Sequence, residues 1–135
     1  MSTLTYSIGE FAQIVGVATS TLRYYENEGL LTPERDENNI RVFTDSDIGW
    51  VKFLLHLKDS GMSMTELKQY TKWRAMGDET IPDRKDLLEK RKELVEKEIQ
   101  DLQQNLEILD RKVEFYNDHL KGKKYEFVLY PNEER

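Results

Sequence analysis

The chain of 135 residues has no cysteine and only two histidines, His56 and His119. Without thiols it can form no disulfide, no thiolate metal site and no thiol-based redox switch. Two histidines are too few for an ordinary zinc site, so we expect neither a metal nor another cofactor. No apolar run approaches the roughly 18 residues of a membrane span, and the first residues lack a basic segment followed by an apolar one. We therefore expect a soluble, cytoplasmic protein without a membrane partner.

An excess of positive charge is also missing. The net charge is −6, and residues 1–73 and 74–135 each contribute −3. This balance argues mildly against nucleic-acid binding. Salt confines the reach of a charge to about 8 Å under physiological conditions, so a local group of cations matters more than the total.

The segment from Ser7 to Glu26 has the pattern of two short helices joined by a tight turn. Ser7 and Glu10 have the spacing of a capping box, and apolar residues then recur at helical intervals. Gly16 is placed to end the first helix at positive φ, and Thr19 to cap the second. This order predicts a helix-turn-helix.

The second helix has one face for packing and one for solvent. Leu22 and Tyr25 are spaced to face the first helix. The outer surface is predicted to carry Ser20, Thr21, Arg23 and Tyr24. Their side chains can form hydrogen bonds with phosphates and base edges. A helical hairpin that only packs has the same pattern, so the flanking sequence must decide.

A small β-hairpin is predicted for residues 34–43. Asn38 and Asn39 tolerate the positive φ of a tight turn, and strand-forming residues follow them. Arg35 and Arg41 flank this turn, where solvated loop charge alone would also account for them.

From Ser7 through Gly61 the sequence resembles the MerR family of bacterial transcription regulators. The resemblance rests on Ile8-Gly9-Glu10, on Leu22-Arg23-Tyr24-Tyr25-Glu26 followed by Gly29-Leu30-Leu31, and on Arg35, Asn38, Arg41, Phe43 and Asp47 in that order. It implies a winged helix-turn-helix that binds double-stranded promoter DNA as a homodimer together with RNA polymerase. Regulators of this family bend and untwist promoters whose polymerase boxes are spaced too far apart.

The outer face of the second helix, the hairpin and the resemblance together predict which residues contact DNA. These are Thr19, Ser20, Thr21, Arg23, Tyr24, Tyr25, Arg35, Asn38, Asn39, Arg41 and Lys58. Arg23 and Tyr24 would enter or rim the major groove, and Tyr25, Arg35 and Arg41 would hold phosphates. Where the family often has Asn-Gly followed by Tyr, this chain has Asn38-Asn39-Ile40, which removes one hydroxyl that could contact a phosphate.

Two further capping-box spacings begin at Thr44 and Ser63 and predict a third and a fourth helix. The third ends at Gly61 and the fourth near Arg74. We expect both to serve mainly as core and scaffold.

A long helix is predicted for the last third of the chain. Thr80 and Asp83 have cap spacing, Pro82 suits the first turn of a helix, and neither glycine nor proline occurs from Asp83 to about Leu120. A helix of that length, roughly 58 Å, is too long to be buried in so small a domain. We define the seam as the apolar heptad positions Leu88, Val95, Ile99, Leu102, Leu106, Leu109, Val113, Tyr116 and Leu120.

The seam predicts a coiled coil with a second copy of the chain, because a monomer would leave it in water. The alternative folds it back on its own N-terminal domain, helped by a partial second stripe that includes Leu87 and Phe115. Residues 122–135 form a tail that docks as a strand or turn, or stays disordered.

The least defined part of the predicted function is the effector, the signal to which such a regulator responds. The linker and turn sequences resemble the subgroup that responds to aldehydes and electrophilic stress, but its cysteine is replaced here by His56. A small interface pocket lined by Trp73, Phe115 and Tyr116 is a second candidate effector site. Structural packing explains all four residues as well, and regulation by abundance alone stays open.

Together these patterns predict a mainly α protein: a winged helix-turn-helix domain (1–75), a linker (76–80), a coiled-coil dimerisation helix (81–121) and a tail (122–135). The predicted function is sequence-specific transcription regulation at an inverted repeat. One alternative is an architectural or excisionase-like protein that bends DNA, and another is a coiled-coil interaction protein that binds no DNA. An enzyme is not expected, because the sequence has no nucleophile and base pair and no phosphate-cradling glycine loop.

Overall fold

The structure is a computed structural model that describes residues 4–122. Its elements in chain order are β1 (Thr5–Tyr6), α1 (Ile8–Val15), α2 (Thr19–Asn27), β2 (Glu34–Arg35), β3 (Arg41–Thr44), α3 (Asp45–Asp59), α4 (Met64–Met76), a 3-10 turn (Asp78–Thr80) and α5 (Ile81–Leu120). The predicted mainly helical architecture is confirmed. The conformations considered for the tail concern residues 123–135, which lie outside the described residues.

The three capping boxes predicted from sequence are present. Ser7, Thr44 and Ser63 each accept a hydrogen bond from the backbone N–H three positions later, and the acidic side chain there accepts one from the cap N–H. Each box satisfies two helix donors that would otherwise lack a partner. Gly16 follows α1 at φ 79°, the left-handed conformation predicted for it.

Two predicted caps are wrong. The N-cap of α2 is Ala18, which makes no side-chain cap, and Thr19 is already the first helical residue. Thr80 belongs to the 3-10 turn before α5, where its hydroxyl oxygen lies 2.5 Å from the Trp73 carbonyl oxygen and 2.8 Å from that of Gly77. It therefore fastens the end of α4 to the start of α5.

The three strands form one antiparallel sheet in the order β1-β3-β2. Tyr6 pairs with Phe43, and Arg35 pairs with Arg41. β1 was not predicted, because two residues are too few to show an alternating pattern. The predicted hairpin turn is confirmed, with Asn39 at φ 61°.

The core lies between the helix-turn-helix, the sheet, α3 and α4. Phe11 stacks on Phe43 with ring centroids 4.3 Å apart, and the Trp50 indole N–H donates to the Leu30 carbonyl at 2.8 Å. Burying a side chain of this size contributes about 1.5–3 kcal/mol, so this core holds α2 and the hairpin in place.

The chain divides into two compact units, Met1–Arg91 and Lys92–Arg135. Leu87 and Leu88, in the first turns of α5, pack against the core of the first unit. Leu88 was predicted to lie on the dimer seam; it is half-buried against the domain of its own chain, and its place on the seam stays a prediction.

Most of the seam in the second unit is exposed. The exposed fractions range from 42% for Tyr116 to 83% for Leu120, and Ile99, Leu102, Leu106, Leu109 and Val113 lie between them. Val95 is half-buried. Within residues 4–122, no helix is long and apolar enough to cross a membrane.

Candidate nucleic-acid interface

The second helix of the helix-turn-helix, α2, has the two faces predicted from sequence. Leu22 and Tyr25 are buried against the core, whereas Ser20, Arg23 and Tyr24 are exposed. Tyr24 has 48% of its surface accessible. The half-buried residues Thr19 and Thr21 lie at the start of the same helix. This end of α2 therefore offers hydroxyl, phenol and guanidinium groups to a partner.

Tyr25 does not lie where its predicted role requires. Its side chain is only 2% exposed, and its hydroxyl is covered without a hydrogen-bond partner among the residues described. In this conformation the hydroxyl cannot reach a phosphate, so the predicted contact is corrected to a core position. Helical spacing had already placed Tyr25 towards the first helix.

The hairpin turn is held by an aspartate. Asp36 Oδ1 accepts hydrogen bonds from the backbone N–H groups of Asn38 at 2.9 Å and Ile40 at 3.0 Å. These bonds fix the loop between β2 and β3. We call the two strands together with this loop the wing (residues 34–44). All three residues are exposed, together with Asn39.

Arg35 and Arg41, the two wing arginines, are both paired with Glu26 of α2. Arg41 Nε donates to Glu26 Oε1 at 2.6 Å, and Arg35 Nη2 donates to Glu26 Oε2 at 3.2 Å. The hydrogen bond from Arg41, together with attraction by both guanidinium groups, holds the pKa of Glu26 below its ordinary value despite partial burial. The carboxylate is therefore charged at neutral pH and joins α2 to the wing.

Glu26 was not among the residues predicted for this interface. The sequence contained a signal for it, since it ends the Arg-Tyr-Tyr-Glu motif on which the family resemblance rests. The pairing itself links residues 9 and 15 positions apart and depends on how the hairpin folds back over α2. Helical periodicity does not predict such a contact.

Lys58, the remaining predicted phosphate contact, is exposed in the last turn of α3. The chain leaves this helix through Ser60 and then Gly61, which has φ 101°. A lysine near a helix C-terminus is favoured by the helix dipole, so its position has a structural explanation as well.

The candidate effector residues lie in both units of the chain. His56 is exposed on α3, and Trp73 is half-buried on α4. Phe115 and Tyr116 meet edge to face, with ring centroids 5.7 Å apart, in the second unit. The pocket predicted from Trp73, Phe115 and Tyr116 stays a prediction. Residues 4–122 hold no group of three or more His, Asp or Glu side chains suited to a metal ion.

Two family models match the chain. One, described as "MerR HTH family regulatory protein", matches residues 6–72, and the other, described as "MerR, DNA binding", matches residues 48–112. Together they extend from the helix-turn-helix into the long helix.

Curated relatives that align with the chain over part of their length are also described as transcriptional regulators. The chain is 40% identical over 87 residues to an uncharacterized HTH-type transcriptional regulator of Haemophilus influenzae, an alignment that covers 64% of each protein. It is 36% identical over 83 residues to the transcriptional regulator AdhR of Bacillus subtilis, over 61% of this chain and 59% of AdhR. The aligned part thus spans about three fifths of the length of these relatives.

Solved structures match over nearly their whole length. HiNmlR, a MerR family regulator lacking the sensor domain and bound to promoter DNA, is 36% identical with a TM-score of 0.78, covering 89% of this chain and 92% of that one. A putative MerR family regulator from Listeria monocytogenes is 31% identical with a TM-score of 0.81, covering 87% and 89%. Both therefore share the arrangement described above.

Proposed function

Because the chain belongs to the MerR family of helix-turn-helix regulators, we propose that it is a sequence-specific DNA-binding transcription regulator. It binds an inverted repeat in promoter DNA as a homodimer and controls transcription by distorting that DNA. One observation carries the proposal: α2, which exposes Arg23 and Tyr24, is tied through Glu26 to the two arginines of the wing. A helix that serves only as scaffold does not need exposed hydrogen-bond donors that are linked to the arginines of a neighbouring hairpin.

The proposal assigns separate roles to the two parts of the interface. The exposed end of α2 approaches base edges in the major groove through Thr19, Ser20, Thr21, Arg23 and Tyr24. The backbone of the DNA is held by Arg35, Asn38, Asn39, Arg41 and Lys58. Phosphate contacts fix the register, and contacts with base edges supply the specificity.

Dimerisation is assigned to the exposed part of the seam in residues 92–120. Apolar side chains that remain accessible on one long helix are buried economically by a second copy of that helix. Two-fold symmetry then sets two binding domains on half-sites separated by whole turns of DNA. The same proposal divides the chain into a binding domain (1–75), a linker (76–80) and a dimerisation helix (81–121).

The remaining parts of the proposal follow from this role. RNA polymerase is the expected partner at the promoter, and the cytoplasm is the compartment in which a bacterial chromosome is bound. The family consists of regulators, so we assign no catalytic activity. Distortion of the DNA costs energy that depends on its sequence, and this cost is offset by the contacts that the distorted form allows.

Selection of binding sequences from random duplex DNA tests the proposal. The expected product is an inverted repeat whose affinity falls steeply with salt, since bound phosphates release counterions. Recovery of no preferred sequence by folded, dimeric protein would refute DNA recognition and favour the coiled-coil interaction protein.

Transcription in vitro from a promoter containing the selected repeat separates a regulator from an architectural protein. A regulator changes the amount of transcript from that promoter and not from one with a scrambled repeat. Binding and bending of the repeat without any change in transcript would favour the architectural alternative.

A further inference from the structure

Glu26 lies between two like charges that the sheet places opposite each other. Arg35 and Arg41 are direct cross-strand partners in the β2–β3 pair. Two arginines in that register repel each other and destabilise the hairpin unless an anion lies between them. Glu26 supplies that anion from another element, with one carboxylate oxygen to each arginine.

The pairing also leaves donors for a second anion. Arg41 uses Nε for Glu26, and no hydrogen bond from its two Nη groups is found within residues 4–122. Arg35 is fixed twice, because Nη2 binds Glu26 and Nη1 donates to the Asn39 carbonyl at 3.0 Å. A guanidinium has five N–H donors in a rigid fork, so holding one edge orients the other.

Two consequences for binding follow from this arrangement. Side chains that are already ordered lose less conformational entropy when they bind, which favours the one DNA geometry that fits them. A carboxylate beside both cations also weakens their attraction for phosphates in every position. Only the fitting complex regains this loss through the first effect, so the two effects together favour it over the rest.

From these contacts, and on the basis of the function proposed above, we propose that Glu26 is a positioning residue that sets sequence discrimination. It orients Arg35 and Arg41 towards the phosphates of the cognate site and limits their attraction to other DNA. Glu26 contacts no DNA itself in this scheme, because its two oxygens face the arginines.

The test compares Glu26→Gln with the matched control Glu28→Gln. Glu28 lies two residues further along, and its carboxylate pairs with Lys68 at 2.5 Å rather than with a wing arginine. Both variants remove one negative charge from the same end of α2; Glu26→Gln also removes two ion pairs and Glu28→Gln removes one. The quantity measured is the ratio of the dissociation constants for random and selected DNA, at several salt concentrations.

We expect Glu26→Gln to lower this ratio about tenfold, which corresponds to about 1.4 kcal/mol of discrimination. The slope of log affinity for random DNA against log salt concentration should steepen by the equivalent of about one phosphate contact. The reason is that the released arginines become available to any DNA backbone. The Glu28→Gln ratio should stay within about twofold of the wild-type ratio, the scatter of an ordinary surface change.

A second variant separates orientation from charge. Glu26→Asp keeps the charge but is one methylene shorter, so it cannot bridge both arginines in the same geometry. The ratio should fall for this variant as well, without the steeper salt dependence. A ratio as high as that of the wild-type protein would overturn the positioning role.

A double-mutant cycle shows whether Glu26 acts through an arginine. In an Arg41→Ala background, Glu26→Gln should change the ratio less than it does alone, because one of the two groups it orients is gone. Equal changes in the two backgrounds would refute the inference. Circular dichroism of each variant at the assay temperature verifies that it is folded.

The outcomes for the wild-type protein separate this inference from the function on which it rests. If the wild-type protein selects no sequence, both proposals are refuted. If it selects an inverted repeat and the two glutamine variants have equal ratios, only the role of Glu26 is refuted.

Discussion

Arg91 of α5 donates from Nη2 to Glu66 Oε1 at 3.2 Å, and the same oxygen accepts the backbone N–H of Ser63 at the start of α4. Arg91 Nη1 also lies 3.1 Å from the point where a Cβ on Gly61 would stand. The long helix is thus fastened to the turn between α3 and α4 within the first unit. Changes in this turn should alter the stability of that unit.

Gly61→Ala should destabilise the protein by about 1–3 kcal/mol, because an alanine at φ 101° is strained. The new methyl group would also crowd the Arg91 guanidinium at 3.1 Å. Gly49→Ala is the matched control: Gly49 lies within α3, its φ is not positive, and no atom lies within 4 Å of the point that a Cβ would occupy there. There alanine should stabilise the helix by about 0.5–1 kcal/mol.

Urea denaturation of both glycine variants, at one fixed protein concentration, measures these free energies. Equal effects of the two substitutions would contradict the conformational argument. Adding Arg91→Ala to Gly61→Ala should recover only the part of the loss caused by crowding, since the backbone strain remains.

Glu66→Gln should remove a pH-dependent part of the stability. The hydrogen bond from the Ser63 N–H, then its hydroxyl and Arg91, hold the pKa of Glu66 below its ordinary value of 4.5, although burial opposes this. A lowered folded-state pKa means that the unfolded chain binds more protons in this range. The contribution is therefore fully present above about pH 4.5 and is lost as the pH falls through the folded-state pKa.

Denaturation of the wild-type protein and Glu66→Gln between pH 3 and pH 7 checks this sign. The difference in unfolding free energy should be constant near neutrality and should shrink below about pH 4.5. Two curves that stay parallel through that range would show that Glu66 has no shifted pKa.

Thr80→Val should cost about 1–3 kcal/mol, because valine matches the shape of threonine but cannot form hydrogen bonds. The Thr80 hydroxyl can donate its hydrogen to the carbonyl of Trp73 or Gly77, and it accepts from Arg84 Nε at 3.1 Å. Thr80 is buried, so water does not replace these bonds.

Thr71→Val is the control for this change. The Thr71 hydroxyl donates at 2.8 Å to Leu67 O, four residues earlier in the same helix, and Thr71 is only partly buried. Its loss should change stability by less than about 0.5 kcal/mol. Equal losses in thermal or urea denaturation would show that the Thr80 contacts do not hold the turn.

The features that could be predicted from sequence are those that depend on near neighbours along the chain. The capping boxes at Ser7, Thr44 and Ser63 each involve residues three apart, and the exposure of Arg23 follows from helical period.

The features missed depend on how distant segments fold together. β1 pairs Tyr6 with Phe43, and Glu26 reaches Arg41 from 15 residues away. Leu88 fits the heptad spacing of the seam, but its packing against its own domain is a contact that spacing alone does not show.

Arg23→Ala distinguishes base recognition from simple attraction to the DNA backbone. Arg23 is exposed on α2, and its guanidinium group can donate two hydrogen bonds to the edge of a guanine base. Such a contact predicts a loss of about 1–3 kcal/mol on the selected site, with relaxed preference at one base pair. A loss that is uniform across matched and mismatched duplexes would assign Arg23 to a phosphate instead.

Leu106→Glu tests the seam as the dimer interface. Leu106 is 56% exposed in the single chain, so the substitution should leave the fold of each chain intact. In a coiled coil the same position is buried, and an unpaired carboxylate there carries a large desolvation cost. We expect monomers at concentrations where the wild-type protein is dimeric, and a selected inverted repeat should be bound at least tenfold more weakly.

Gln104→Glu is the control for that substitution. Residue 104 is exposed on the same helix and is rotated by about 200° from residue 106 at the helical period, so the added charge lies off the seam. Sedimentation velocity should give a dimer for this variant and a monomer for Leu106→Glu. Two dimers would place the interface elsewhere, and two monomers would mean that added negative charge, rather than the seam, governs association. Only the contrast between the variants identifies the seam, because both carry the same net charge.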